Sequence, residues 1–464
     1  MLLSVCIGMF GCNSEADGTT GTIGTTGTLA TSGTTSSNQG NNGSNNNNSN
    51  SNNGNNSGNN DSNNNGGNNM NNNETNNNQG SSSLLSELDL NRFDINKFVY
   101  PIWKTDVSFA EASFVRESSS GEVLPLQLLY PITKIVSVRS SDLKTLYVEG
   151  VDYNITSDGK IEIIRTGSIP VLKYSDYYKP NYSEVADNLK TVFPAADPND
   201  KGGYIRAEVG TNNPGMARWT IAVTYEHDAA SVVSVPETKS QKFTNLINKL
   251  EAGEDIKVVS LGDSITDGWS SSSKVDIAPF SPSYNRMVCK YIETEYDIDV
   301  NHVNLAVSGS NAGSGDNNGR GKVAAACAEN PDLVFVAFGM NDGCGRNTST
   351  YIGDINYIVG TIEQNCPNAA IVVVGTCLPN DEVGFSAGSS ILKYHIDYID
   401  VLKNAEKNTW KNAVFADVTT ANIELFERKV YQDVAGSNSN HPNDYMHRIY
   451  AQVILQTMFG DYAD

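Results

Sequence analysis

The sequence predicts an α/β protein: a doubly wound parallel sheet over 237–464, preceded by a smaller β-sandwich over 84–236 and a disordered N-terminal tether. Three observations carry this. After Pro236, apolar runs of strand length alternate with amphipathic helical stretches, the pattern of a parallel sheet covered on both faces. Before Pro236, short β-branched runs are separated by Gly and Asp turns, with no long helical period. Before residue 84, the chain is Asn, Gly, Ser and Thr with almost nothing to bury.

The first twelve residues, MLLSVCIGMFGC, are apolar and too short to cross a bilayer, so they read as a signal core. Phe10-Gly11-Cys12 resembles the bacterial lipoprotein cleavage box, which makes Cys12 the expected lipidated residue. Phe10 is larger than that box usually carries, and the first basic residue is Arg92, which suggests a start further upstream. The alternative is an apolar leader without lipid. Residues 13–83 cannot offset the entropy of ordering and read as a flexible, nearly uncharged tether. Asn-rich tracts also aggregate, but this one is rich in Gly and has no aromatic residue.

In the β-rich region, strands are expected at Ile135–Val138, Thr145–Val148, Lys160–Ile164 and Trp219–Tyr225, with a turn at Ser157-Asp158-Gly159. Tyr174, Tyr177, Tyr178 and Tyr182 cluster in one stretch. Such rings stack on sugars or, more commonly, fill ordinary β cores.

In the α/β region, strands are expected at Ile256–Leu261, Val300–Leu305, Leu333–Phe338, Ala370–Gly375 and Ala413–Val418, with helices at Tyr284–Tyr296 and Ile355–Gln364 between them. Ligands of such sheets bind beyond the carboxyl ends of the strands. Three polar blocks fall there. Gly262-Asp263-Ser264-Ile265-Thr266-Asp267-Gly268 follows the first strand, Ala306-Val307-Ser308-Gly309-Ser310 the second, and Gly339-Met340-Asn341-Asp342 the third. A fourth block, Asn440-His441-Pro442-Asn443-Asp444, precedes a C-terminal amphipathic helix through about Met458. Each block alone also reads as an ordinary turn or helix cap, and His441 alone as a helix-start residue.

In this order the four blocks resemble those of the SGNH (GDSL-like) hydrolases, over about Thr238 to Asp464. The resemblance implies a flavodoxin-like three-layer fold and a serine esterase. It implies Ser264 as nucleophile, His441 as general base, and an oxyanion hole of the Ser264 N–H, the Gly309 N–H and the Asn341 amide. These donors suit a tetrahedral intermediate. The family often carries Asp three residues before the histidine; here that position is Asn438. Asparagine can accept a bond from the imidazole but brings no charge, and the same exchange in a protease triad lowers turnover by about four orders of magnitude. Asn438, a main-chain carbonyl and Asp433 are therefore all candidates to orient His441. His227, His302, His395 and His447 have no comparable context.

Other chemistries find no support. Gly321-Lys322 is followed by Val323, and Asp316 stands where a P-loop needs glycine. No cysteine pair has zinc spacing. Asp316-Asn317-Asn318-Gly319 lacks the later Glu of a calcium loop and reads as a solvated turn. No metal or cofactor is expected. Cys289, Cys327, Cys344, Cys366 and Cys377 allow at most two disulfides among them, and most are expected as buried thiols. A net charge of -21 makes nucleic acid an unlikely partner, and membrane contact is expected only through Cys12. The expectation is a secreted or surface-tethered esterase removing O-acyl, chiefly O-acetyl, groups from polysaccharide or oligosaccharide. The alternatives are an esterase or lipase on short acyl lipids, and an inactive carbohydrate-binding surface lipoprotein.

Overall fold

The computed structural model describes residues 95–104, 106–179, 191–196, 203–207, 215–386 and 389–462. The expected leader with Cys12, the tether over 13–83, the start of the β-rich region and Tyr182 lie outside these residues.

The β-rich region contributes β1 (Val107–Phe114), β2 (Lys134–Ser140), β3 (Leu146–Tyr147), β4 (Tyr153–Ile155), β5 (Ile161–Ile163), β6 (Tyr178–Lys179), β7 (Thr191–Pro194), β8 (Tyr204–Ala207) and β9 (Thr220–Glu226). They form antiparallel sheets in the orders β1-β9-β2-β3, β4-β5 and β6-β8-β7.

The α/β region follows with helix α1 (Thr244–Glu251), β10 (Ile256–Gly262), α2 (Ser264–Asp267), α3 (Tyr284–Tyr296), β11 (Val300–Asn304), α4 (Gly319–Ala328), β12 (Leu333–Ala337), α5 (Met340–Gly343), α6 (Thr348–Asn365) and β13 (Ala370–Val374). After a small hairpin, β14 (Gly384–Ser386) with β15 (Ser389–Ser390), come α7 (Tyr398–Asn408), β16 (Ala413–Ala416), α8 (Val418–Leu425), α9 (Tyr431–Val434) and α10 (Asp444–Phe459). The parallel sheet runs β11-β10-β12-β13-β16. Each expected strand is present within a residue or two.

The parallel strands are apolar on both faces because both are covered. Val258, Phe335, Val372 and Val414 pack with Met287, Ile292, Tyr450 and Ile454 from α3 and α10. Val259, Val334, Val336 and Ile371 pack with Val323, Ile355, Ile358 and Leu402 from α4, α6 and α7. Successive strand residues point to opposite faces, so one strand feeds two cores and three layers result. The strand order reverses around β10, and the crevice beyond its carboxyl end is where such a sheet binds ligands.

The antiparallel sheet shares the first of these cores: Ile221, Val223 and Tyr225 of β9 lie in one apolar cluster with Tyr445, Met446 and Tyr450 of α10. Both regions belong to one compact unit. The junction is also charged. A register shift in β1 between Ser108 and Glu111, with Ala110 at φ 45°, accompanies the burial of Glu111. Lys429 Nζ lies 2.6 Å from Glu111 Oε1 and 3.7 Å from Asp433 Oδ2, with Lys429 and Glu111 fully buried. Glu111 also accepts from Leu129 N, Ser108 Oγ and Tyr225 Oη. Asp433 accepts from the N–H groups of Phe114 and Val430. Burial works against the Lys429 cation, but Asp433 and Glu111 outweigh it and hold its pKa above the usual lysine value.

Farther along, Arg448 of α10 donates to the carbonyls of Phe98, Phe109 and Ala110 at 2.8, 2.7 and 3.2 Å. Its guanidinium lies 5.3 Å from the Phe98 and Phe109 ring centres. Gln452 donates to the Tyr100 carbonyl and accepts from Ile102 N. The stretch before β1, which has no ladder of its own, thus satisfies main-chain groups on one helix.

Removing one partner of a buried ion pair leaves an uncompensated charge, at a cost of about 3–5 kcal/mol. Lys429→Met should lower unfolding stability in urea by that amount. A change below about 1 kcal/mol, the scale of an exposed pair, would show that this junction is not the clamp described.

Candidate active site

Gly262 ends β10 where no side chain fits: an added Cβ would stand 2.1 Å from Thr266 Oγ1 and 2.8 Å from the Ala337 carbonyl. Asp263 then caps α2, accepting from Ile265 N at 2.9 Å. Burial raises the Asp263 pKa to about 7. Ser264 is the first residue of this turn, with its Oγ 2.8 Å from His441 Nε2. Both are almost enclosed, at 3% and 5% exposed. Thr266 Oγ1 meets Tyr284 Oη at 2.8 Å, and Trp269 N donates back to the Ser264 carbonyl at 2.9 Å. The half-buried Trp269 ring stacks on the His441 ring at 6.2 Å and 29°.

The loop after β11 closes over the end of β10. Val307 N and Ser310 Oγ both donate to the Gly262 carbonyl, at 3.1 and 2.9 Å. Gly309 takes φ 80°, a left-handed turn that glycine adopts without strain. The Asn341 amide donates to the Ser310 carbonyl at 2.7 Å, which sets the amide against this loop. Asp342 fastens the arrangement from beneath: Ala312 N donates to its two oxygens at 3.1 and 3.2 Å, and Arg346 pairs with it at 3.1 Å. Ser264, Gly309 and Asn341 thus stand at the carboxyl ends of β10, β11 and β12, the crevice where the strand order reverses.

His441 reaches Ser264 from a loop with no regular structure. His441 N donates to Ser437 Oγ, and Gly436 N donates to the His441 carbonyl. Asn380, beyond β13, donates from its main chain to the Ser439 carbonyl and from its amide to the Asn438 carbonyl and Oδ1. Burial lowers the His441 pKa to about 4. The ring is therefore neutral at pH 7 and offers Nε2 as a proton acceptor.

The structure corrects the expectation that Asn438, Asp433 or a main-chain carbonyl orients His441: none of the three does. Asn438 does not hold His441. It takes φ 58°, a left-handed conformation asparagine tolerates. Its Nδ2 donates to Tyr177 Oη at 3.0 Å and to the Arg206 carbonyl at 2.7 Å. Asp433 is spent in the Lys429 junction. Among the described residues no carbonyl takes the place of either: His441 Nδ1 is buried without a hydrogen-bond partner. The structure presents a serine–histidine pair held by its surroundings.

The partners of Asn438 had no signal in the sequence. Asn380, Tyr177 and Arg206 meet Asn438 across separations of 58, 261 and 232 residues. Trp269 directly follows the Gly262–Gly268 block and was the one legible omission. Tyr177 and Tyr178 are buried and both hydrogen-bond Glu382, so they are core residues rather than a sugar platform. His302 and His395 bond Ser260 Oγ and the Met340 carbonyl, and His227 stacks on Tyr130. His447 faces the Trp269 carbonyl at 3.4 Å. In the acidic turn Asn318 stands just before α4 without capping it, and its Oδ1 accepts from Asn311 N instead. A cavity of about 80 Å³ lies at the junction of the two regions, walled by Leu143, Ile221, Val275, Asp444 and Arg448 among others, and its walls include neither Ser264 nor His441.

Asn438→Asp tests the corrected role. A carboxylate there would face the Arg206 carbonyl instead of donating to it, at a cost of roughly 3 kcal/mol or more. The expected outcome is a lower Tm with no gain in turnover. Faster turnover would mean that position 438 does serve the imidazole.

Residues 260–449 match the family model of the GDSL-like lipase/acylhydrolases. No curated protein matches the chain. Among solved structures, it is similar to a two-domain esterase (CEX) active on acetylated mannans, at 19% identity and TM-score 0.36, over 48% of this chain and 54% of that one. The chain thus spans about half the length of that esterase. It is also similar to an acetyl-xylooligosaccharide esterase from Geobacillus stearmophilus, at 19% identity and TM-score 0.34, over 45% of this chain and 95% of that one. A carbohydrate esterase family 3 protein from Talaromyces cellulolyticus shows 18% identity and TM-score 0.32, over 43% and 94%. Residues 260–449 thus resemble a GDSL-like lipase/acylhydrolase domain, and the five-stranded parallel sheet with its flanking helices is an SGNH-type α/β fold.

Proposed function

We propose that this protein is a serine esterase that removes O-acyl groups, principally acetyl, from carbohydrate. The observation that carries the reading is the 2.8 Å contact of Ser264 Oγ with His441 Nε2, at the crevice of the parallel sheet. The Ser264 hydroxyl donates to neutral Nε2 and, as it gives up its proton, attacks the ester carbonyl. The N–H groups of Ser264 and Gly309 and the Asn341 amide receive the oxyanion. The imidazolium returns its proton to the leaving alcohol. His441 then takes a proton from water, which cleaves the acyl-enzyme and releases the acid.

Two features favour a small acyl group on a sugar. The nucleophile and base are nearly enclosed, which suits acetyl better than a long chain. The half-buried Trp269 ring beside His441 offers an aromatic face of the kind that packs on sugar rings. The same reading has the enzyme exported and tethered through Cys12.

A fluorophosphonate probe should label the purified protein on Ser264 and leave folded Ser264→Ala unlabelled. The wild type should release acetate from acetylated oligosaccharide faster than it cleaves long-chain acyl esters. Labelling elsewhere, or no turnover of any ester by well-folded protein, would refute the esterase reading. A preference for the long-chain esters would move the substrate to lipid.

A further inference from the structure

We propose that Cys327 and Cys366 are a reversible oxidation site, joined by an intramolecular disulfide that staples α4 to α6. Cys327 sits in the last turn of α4 and Cys366 caps the end of α6. Cys366 Sγ lies 3.7 Å from the Cys327 carbonyl, and Cys327 Sγ lies 4.0 Å from the Thr361 carbonyl. Each is a free thiol in this structure, and the Cys366 thiol is one of the groups that raise the Cys327 pKa. Both pack in the same apolar cluster, beside Val323 and Ile362, so the helix ends are already held together. A disulfide needs its Cα atoms within roughly 7 Å, and two cysteines at packed helix ends, with the Cys366 sulfur against the Cys327 main chain, are suited to meet it.

The other cysteines of the described region lack this combination. Cys289, Cys344 and Cys377 are buried. Cys344 Sγ turns back to the Met340 carbonyl of its own helix. Burial raises both Cys289 and Cys377 to about 12. Cys327 is only half buried and is the sulfur an oxidant reaches.

The co-reactant is a disulfide such as oxidised glutathione. The Cys327 thiolate attacks one sulfur of that disulfide and expels one thiolate, which takes up a proton. The Cys366 thiolate then attacks Cys327 Sγ and expels the second. The protein loses two protons and two electrons, and the oxidant becomes two thiols. Burial and the Cys366 thiol raise Cys327 to about 11, so the first attack is slow at neutral pH and quickens as pH rises. Helices of this fold run antiparallel to the sheet, and Cys327 and Cys366 precede β12 and β13 by only a few residues. The staple therefore lies at the edge opposite Ser264 and should leave turnover unchanged.

The test is oxidation of the purified full chain by glutathione disulfide at pH 8.5 under native conditions, followed by non-reducing peptide mapping. The expected product is one cross-linked pair of peptides containing Cys327 and Cys366. Thermal unfolding should rise by about 3–6 °C, reversed by dithiothreitol. Cys366→Ser should stop at a glutathione adduct on Cys327, with no rise in Tm. Two separately alkylatable thiols after oxidation, a persistent glutathione adduct in the wild-type chain, or a cross-link between other cysteines would each overturn the proposal. None of these readouts depends on the esterase reading.

Discussion

The buried charge junction between β1 and the C-terminal segment sets the rest of the structure. Glu111 and Lys429 are both removed from water, and each is tolerable only because the other is there. Arg448 repeats the logic with main-chain carbonyls in place of a carboxylate. These contacts flank the loop that carries His441. The antiparallel sheet is therefore not an appendage: it supplies one wall of the loop that brings His441 to Ser264.

That arrangement explains how a histidine can be aimed without a carboxylate. A triad acid fixes the imidazole plane and stabilises the cation that forms during reaction. Here the loop is fixed instead, through Asn380 from one side and Tyr177 and Arg206 from the other. Ring position is inherited from the backbone and from the Trp269 stack. The buried Nδ1 has no partner among the described residues, and such a group costs about 1–3 kcal/mol. An extensive junction can bear that cost, and the product is an imidazole that stays neutral down to about pH 4, well below the usual histidine range.

The parallel sheet was legible because its strands are continuous β-branched runs, such as Ala370-Ile371-Val372-Val373-Val374, and because burial on both faces requires that composition. Ser264, Gly309, Asn341 and His441 could be singled out because their four blocks, three of them following strand ends, stand in an order that resembles the SGNH hydrolases. The sequence could not place the Asn438 side chain, because spacing along a chain says nothing about which way a left-handed residue turns it. Its partners lie on β8 and on a single helical turn before β6, and no local pattern links those segments to residue 438. Glu111 was equally hidden: a charged residue in a strand reads as solvent-facing until its partner, more than 300 residues later, is placed beside it.

His441 is neutral by burial and, among the described residues, has no carboxylate to stabilise its cation. The most direct measurement is the pH dependence of kcat/KM for an activated acetyl ester, whose own ionisation does not intervene. A base must be unprotonated to act, so activity should be lost only as pH falls through about 4 and should be flat from there to neutrality. An acid limb at the ordinary histidine value or above it, near pH 6.5–7, would mean that solvent or a carboxylate reaches the imidazole in the free enzyme, and the neutral buried pair described here would be wrong.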